Sequence, residues 1–276
     1  MEIISSPMTL HGILEAGFVQ NVFLQGAPYS TAFDPQKSTD KAVVYLELFE
    51  IDLELIIEIK AAEKNVILFH MGDEFADKDL AAYSACDLII QNYFFHEIIN
   101  HSDCADKIFW VPNGCRTGVG PRAIDTLKKV DLRQYVSRFG GWFRNTVSFL
   151  GERSLFADAV SVSTGTHIRR AGNHSDLYLL SSNGFSNGGS VGLYSAAMED
   201  SIFAPCPAGN SAETIRLADA LECGCIPVTL EHEFINSEQA LGEFGPPPFH
   251  LLESWDQFPS FLAQMREKRK THPEEI

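Results

Sequence analysis

Short apolar runs rich in Val, Ile and Leu recur along this chain, separated by stretches with helical spacing. That alternation constrains the fold more than any other feature, because strand–helix–strand units build open, largely parallel sheets. In the first half, residues 43–48, 66–70, 88–92 and 108–112 read as strands, with a helix over 53–63. The second of these strands runs into Met71-Gly72-Asp73-Glu74, and the last ends at Asn113-Gly114. Ligands of open parallel sheets collect at such carboxyl ends. Residues 136–145, with Gly140 and Gly141, read as a domain boundary. Beyond it, strands are expected at 146–150, 176–180, 201–205 and 225–230, a glycine-rich loop at 181–192, and a closing helix at 255–268. The expectation is an α/β protein of two Rossmann-like domains, residues 1–140 and 141–276, facing a cleft.

Composition narrows what such a fold serves. Thirty-seven acidic residues against twenty-one basic ones give a formal charge of −16. A field of that sign repels a phosphate backbone, so neither nucleic acid nor an anionic membrane is an expected partner. It does not forbid one small phosphate site, where helix ends and local arginines act at close range. The most apolar stretch, 42–59, carries Glu47, Glu50, Asp52, Glu54 and Glu58, so no membrane span is expected. The first twenty-five residues do not read as a signal peptide. Cys86, Cys104, Cys115, Cys206, Cys223 and Cys225 form no disulfide framework and read as reduced, buried thiols. These readings together point to the cytoplasm. The oligomeric state has no signature.

The sharpest segment is Cys206-Pro-Ala-Gly-Asn-Ser-Ala-Glu-Thr-Ile-Arg-Leu-Ala-Asp-Ala-Leu-Glu-Cys-Gly-Cys-Ile-Pro-Val. It reads as a loop after a strand, a helix from near Ser211, a stop at Gly224 and a buried strand. Leu217, Ala218 and Leu221 share one helical face; Glu213, Arg216 and Asp219 share another. Backbone N–H groups at Gly209 and Asn210 suit a diphosphate, Arg216 adds charge, and Glu213 accepts from ribose hydroxyls. A plainer reading stays open: Asn210 and Glu213 fit an N-x-x-E capping box, and Arg216 and Asp219 an i, i+3 ion pair.

This segment resembles the exostosin-type glycosyltransferases, especially their ribitol-xylosyltransferase-like branch. The matching residues are Pro207, Gly209, Glu213, Thr214, Arg216, Asp219, Ala220, Leu221, Gly224, Cys225, Ile226, Pro227 and Val228, with Tyr194 upstream. Leu68 to Phe75, Tyr83, Cys86 to Tyr93 and Trp110 to Gly114 extend it, although Gln91 stands where that family commonly has arginine. The resemblance implies a GT-B fold. It implies inverting transfer of a hexose or pentose from a nucleoside-diphosphate sugar to a glycan or polyol hydroxyl, the second domain holding the donor and the first the acceptor. That family usually carries an N-terminal membrane anchor, which implies the Golgi lumen if one precedes this sequence. The implied donor residues are Arg153, Gly209, Asn210, Glu213, Thr214, Arg216 and Asp219. Arg169 and Arg170 are alternatives to Arg153 for gripping phosphate oxygens.

Transfer also needs a group to take the acceptor's proton. His70, Asp73 and Glu74, just past a strand, are the candidates. No metal or other cofactor is expected, because no D-x-D motif lies in a suitable loop. His96 and His101 stand one residue too far apart for a zinc helix, and Cys223 and Cys225 lack a second ligand pair. The alternative function is a non-catalytic GT-B-like module that binds a glycan or a protein.

Overall fold

A computed structural model of the chain describes residues 2–5, 13–48, 50–75, 80–95, 97, 103–141, 148–164, 172–174, 177–182, 190–237, 245 and 247–276. They fall into two compact units, Met1–Gly114 with Glu233–Gly245, and Cys115–His232 with Pro246–Ile276. Each unit is built on its own mainly parallel sheet, so the fold is α/β with two Rossmann-like units.

The first unit contains β1 (Glu2–Ser5), β2 (Ala42–Glu47), α1 (Leu53–Ala61), β3 (Asn65–His70), β4 (Leu88–Gln91) and β5 (Ile108–Trp110). Its strands lie in sequence order and all pair in parallel. Val43, Val44, Tyr45 and Leu46 of β2 are all buried, because a central parallel strand is covered on both faces. That is why the run reads as continuously apolar rather than alternating. Helix α1 starts where the Asp52 carboxylate accepts from the Leu55 amide, and it buries Ile56 and Ile59. Strand β1 was not foreseen, since four residues are too few to show a period. A short helix from far along the chain, Glu233–Asn236, belongs to this unit; the Phe234 ring lies 6.4 Å from that of Trp110.

The second unit contains β6 (Tyr135–Gly141), α2 (Glu152–Thr164), β7 (Gly172–His174), β8 (Leu177–Ser181), α3 (Val191–Glu199), β9 (Ser201–Pro205), α4 (Ile215–Glu222), β10 (Ile226–Leu230), β11 (His250–Leu252) and α5 (Phe258–Thr271). The sheet order is β11-β10-β9-β6-β8-β7, with β7 antiparallel to β8. The stretch expected to be a boundary at 136–145 is therefore largely strand β6, hydrogen-bonded to β8 and β9. A division at 140/141 falls at the end of that strand, whereas the units meet along the chain at Gly114 and Cys115. Arg138, Gly140 and Gly141 hide the strand by interrupting its apolar run. The strand expected over 146–150 lies partly outside the described residues. The remainder is a correction: Phe149–Gly151 is a tight helical turn leading into α2, with Leu150 at φ 49°. The expected strand 176–180 is described as β8 from Leu177. Gly184, Gly188 and Gly189 fall outside the described residues, as do His96, His101, Arg169 and Arg170.

Phe156 of α2 sits at the centre of this unit's core. Its ring lies 4.9 Å from Phe139 of β6, 4.8 Å from Trp255 and 5.2 Å from Phe258 of α5. One side chain thus ties the sheet to two helices. Phe156→Ala should cost about 3–5 kcal/mol, since the rigid sheet cannot collapse into the space left. Urea unfolding followed by circular dichroism measures this; a loss near 1 kcal/mol would mean that α2 and α5 close the gap.

Candidate functional site

In the second sheet the chain leaves β6 toward β8 and then crosses back to place β9 on β6's other side. The carboxyl ends of β6 and β9 therefore flank a topological switch point, where the diverging connections leave a crevice. Strand β6 ends there in Gly140-Gly141. A Cβ built on Gly141 would lie 2.9 Å from Arg216 Nη2 and 3.6 Å from Arg153 Nη1; one on Gly140 would lie 2.8 Å from Arg138 Nη2. Three guanidinium groups thus gather around two glycines that leave them room. The Arg216 guanidinium donates to the Gly140 carbonyl at 2.7 Å and stacks over Phe139, 4.6 Å from the ring centre. Burial first, and then the charge of Arg216, push Arg153 down to about 10, so it stays cationic at neutral pH.

Strand β9 ends in the loop read as the donor loop. Arg153 Nε donates to the Ala208 carbonyl at 3.1 Å, and the Phe149 amide donates to the Gly209 carbonyl at 2.7 Å. A Cβ on Gly209 would lie 3.5 Å from Arg153 Nη2. Arg153, Gly209 and Arg216 therefore stand together. The helix itself needs correction. It begins at Ile215, not near Ser211, with Thr214 at its N-cap and no side-chain capping bond. The capping box of Asn210 and Glu213 does not form. Asn210 is exposed, whereas Glu213 is buried and its amide donates to Ser211 Oγ at 3.0 Å.

Helix α4 turns its polar face inward. It buries Arg216 and Asp219 along with Leu217 and Ala220, and leaves Leu221 39% exposed. Its polar side faces inward because partners wait there. Fully buried Asp219 accepts from the Arg116 amide at 2.6 Å and from the Tyr194 hydroxyl at 2.9 Å, with Arg116 Nε 3.8 Å away. The i, i+3 pair with Arg216 is not what holds it. Tyr194 lies between two cations, with Arg138 4.6 Å and Arg116 5.0 Å from its ring centre. Sequence reading missed Arg116 and Arg138 as site residues. The available signal was an arginine inside an apolar strand run, Val136-Ser137-Arg138-Phe139.

Arg138 is 1% exposed, and its Nε and Nη1 have no hydrogen-bond partner among the described residues. Tyr194 and Tyr178 flank it, the latter 5.9 Å away. A desolvated cation–π contact returns about 2 kcal/mol, whereas burying the ion costs several kcal/mol even after relaxation. The two rings do not balance that cost. Burial and the nearby charge of Arg216 depress Arg138, against the opposing pull of Tyr194. Glu152, at the start of α2, braces the loop from beneath. Its Oε2 accepts from the Ala208 amide at 3.1 Å and from Trp255 Nε1 at 3.0 Å, and His232 Nε2 lies 3.1 Å from Oε1.

In the first unit, His70 ends β3 and is 1% exposed. The Tyr83 hydroxyl bridges Gln91 Oε1 at 2.8 Å and His70 Nδ1 at 2.7 Å. Gln91 thus anchors an internal chain of hydrogen bonds. Asp73 and Glu74 are half-buried just beyond, and the Tyr93 hydroxyl reaches Glu74 Oε1 at 3.4 Å. The turn carrying them depends on Gly72, at φ 136°, where a Cβ would meet Leu48 Cδ1 at 2.6 Å. All six cysteines are free and buried. Among the described residues, no cluster of three or more His, Cys, Asp or Glu is placed to hold a metal ion, and no helix is long and apolar enough to cross a membrane.

No family model and no curated protein matches this sequence. One similar solved structure is a trehalose-6-phosphate synthase, studied with bisubstrate glycomimetics to understand enzymatic glycosyl transfer with retention. It is 10% identical, the likeness covers 86% of this chain and 68% of that one, and the TM-score is 0.44. A likeness so distant assigns no activity.

The buried carboxylate of Asp219 gives a direct test of how the cluster is held. Asp219→Asn keeps the shape and an acceptor but removes the charge facing Arg116. It should destabilise the unit by about 1–3 kcal/mol, because the amide nitrogen cannot accept one of the two buried hydrogen bonds that the carboxylate takes. Urea unfolding of the variant measures this, and a loss below about 1 kcal/mol would show that Arg116 is held by other means.

Proposed function

We propose that the second unit binds the diphosphate of a nucleoside-diphosphate sugar, and that the protein transfers the sugar to a hydroxyl of a glycan or polyol. The carrying observation is the gathering of Arg138, Arg153 and Arg216 around Gly140-Gly141 at the switch point of the sheet. In a chain with a formal charge of −16, such a concentration of cations matches a multiply charged anion and little else. Arg153 and Arg216 grip phosphate oxygens, and the loop through Gly209 and Asn210 brings backbone close to them. The same cations stabilise charge building on the departing diphosphate. Thr214 starts α4 beside the loop, and Asp219 fixes the helix that carries Arg216. Glu213 takes the ribose hydroxyls.

The finer reading is the exostosin-type one: a GT-B protein that inverts the anomeric centre and needs no metal. It rests on the residues shared with that family from Pro207 to Val228. Proton removal from the acceptor is given to Asp73 or Glu74 in the first unit. His70, almost fully buried and hydrogen-bonded to Tyr83, is better suited to holding the carboxyl end of the central strand β3 than to meeting an acceptor. That sequestered imidazole also favours a second reading, a module that binds the nucleotide sugar without turning it over. Incubation with a panel of sugar nucleotides, with and without glycan and polyol acceptors, separates the two. Transfer or donor hydrolysis supports an enzyme, saturable binding alone supports the module, and absence of binding rejects both.

Glu213→Gln provides the sharper single-residue test. As a ribose ligand, the carboxylate accepts charge-assisted bonds from two hydroxyls, and glutamine replaces one acceptor with a donor. Donor affinity should fall by about 1.5–3 kcal/mol, roughly ten- to a hundred-fold, with the melting temperature nearly unchanged. Calorimetric titration and thermal melting of the same variant check this together. Unchanged affinity would remove Glu213 from the site.

A further inference from the structure

Arg138 is a costly residue that the proposed reading leaves partly unused. It lies inside the second unit with two guanidinium nitrogens unpartnered among the described residues, between the rings of Tyr178 and Tyr194. Among the described residues it makes no ion pair, and the like charge of Arg216 opposes its own. A buried arginine is ordinarily paired with an acid, and leaving one stranded disfavours the folded state. An apolar side chain of similar length would fit between the two rings without that cost. Such stored instability is characteristic of groups whose counter-charge arrives with a ligand.

The place of the charge says which ligand. Arg138 Nη2 comes 2.8 Å from where Gly140 would carry a Cβ, and Arg216 Nη1 donates to that same residue's carbonyl. Arg138 and Gly140 share one face of β6, whereas Phe139 and Gly141, with Arg216 and Arg153 beside them, share the other, so the buried Arg138 charge lies across the strand end from those two cations. We infer that Arg138 is a positioning charge without direct ligand contact, which makes the site select for a diphosphate over a monophosphate. This inference rests on the diphosphate reading of the second unit. The balance of charge is the physical reason: Arg153 and Arg216 already suffice for one phosphate. The third cation, buried across the strand end, acts through a low-dielectric interior and adds attraction in proportion to ligand charge.

The test uses the full chain with inorganic pyrophosphate and orthophosphate as probes, followed by titration and thermal melting. The substitutions are Arg138→Met, which fills the same space without charge, Arg138→Gln and Arg138→Lys. Without ligand, Arg138→Met should melt at or above the wild-type temperature. Its pyrophosphate affinity should drop roughly ten-fold while orthophosphate affinity changes far less, because an electrostatic contribution scales with ligand charge. Arg138→Lys should stay near wild type and Arg138→Gln should follow methionine. If the methionine variant fails to fold, the comparison of lysine with glutamine decides. Wild type that binds pyrophosphate, with affinity unchanged in Arg138→Met, would overturn the inference alone. So would equal losses for both anions, or lysine behaving as glutamine does. Failure of the wild type to bind pyrophosphate would instead overturn the diphosphate reading, and this inference with it.

Discussion

The missing side chains of Gly140 and Gly141 determine how the rest of the second unit is arranged. Strand β6 is central in its sheet, and its carboxyl end is where the chain's direction of travel across the sheet reverses. A Cβ at either position would press on a guanidinium nitrogen at under 3.0 Å. The empty space lets Arg216 reach a backbone carbonyl of β6 from helix α4, and that reach turns the helix's polar side inward. Once inward, Asp219 must find partners, and it finds the Arg116 amide and the Tyr194 hydroxyl from two other segments. Glycine content at one strand end thus propagates into the orientation of a helix and the placement of a buried acid.

The brace beneath the loop works on the same scale. Glu152 touches the Ala208 amide, the Trp255 indole and His232, which come from three separate parts of the chain. Such a carboxylate is stabilising only while every partner is present, because its desolvation is offset by those bonds and little else. It joins the aromatic core around Phe156 to the segments that follow β9 and β10, so packing and loop geometry are not independent properties of this unit.

Much of the architecture was legible. Strands β2, β3, β9 and β10 lie within a residue of where their apolar runs place them, because buried parallel strands write themselves as unbroken Val, Ile and Leu. Arg153, Gly209 and Arg216, which the structure brings together, were singled out through a resemblance rather than through periodicity. What failed did so for identifiable reasons. Arg138, Gly140 and Gly141 look like loop chemistry, yet they lie in strand β6. Asn210 and Glu213 have the spacing of a cap, yet the helix starts later, at Ile215. The inward polar face of α4 was invisible because its partners, Arg116 and Tyr194, are over twenty residues away in sequence. Local rules misread those positions where the site departs from ordinary strand and helix chemistry.

The chain's path between its units bears on how it folds during synthesis. The first unit takes its last piece, Glu233–Gly245, only after residues Cys115–His232 of the second have been made. Its five-stranded sheet emerges from the ribosome complete by Trp110, but Phe234, which packs on Trp110, comes more than a hundred residues later. The second unit likewise waits for Pro246–Ile276 and the Trp255 that closes its core. Neither unit can be finished before the other is nearly whole, so their maturation is coupled, and no single cut in the gene separates them.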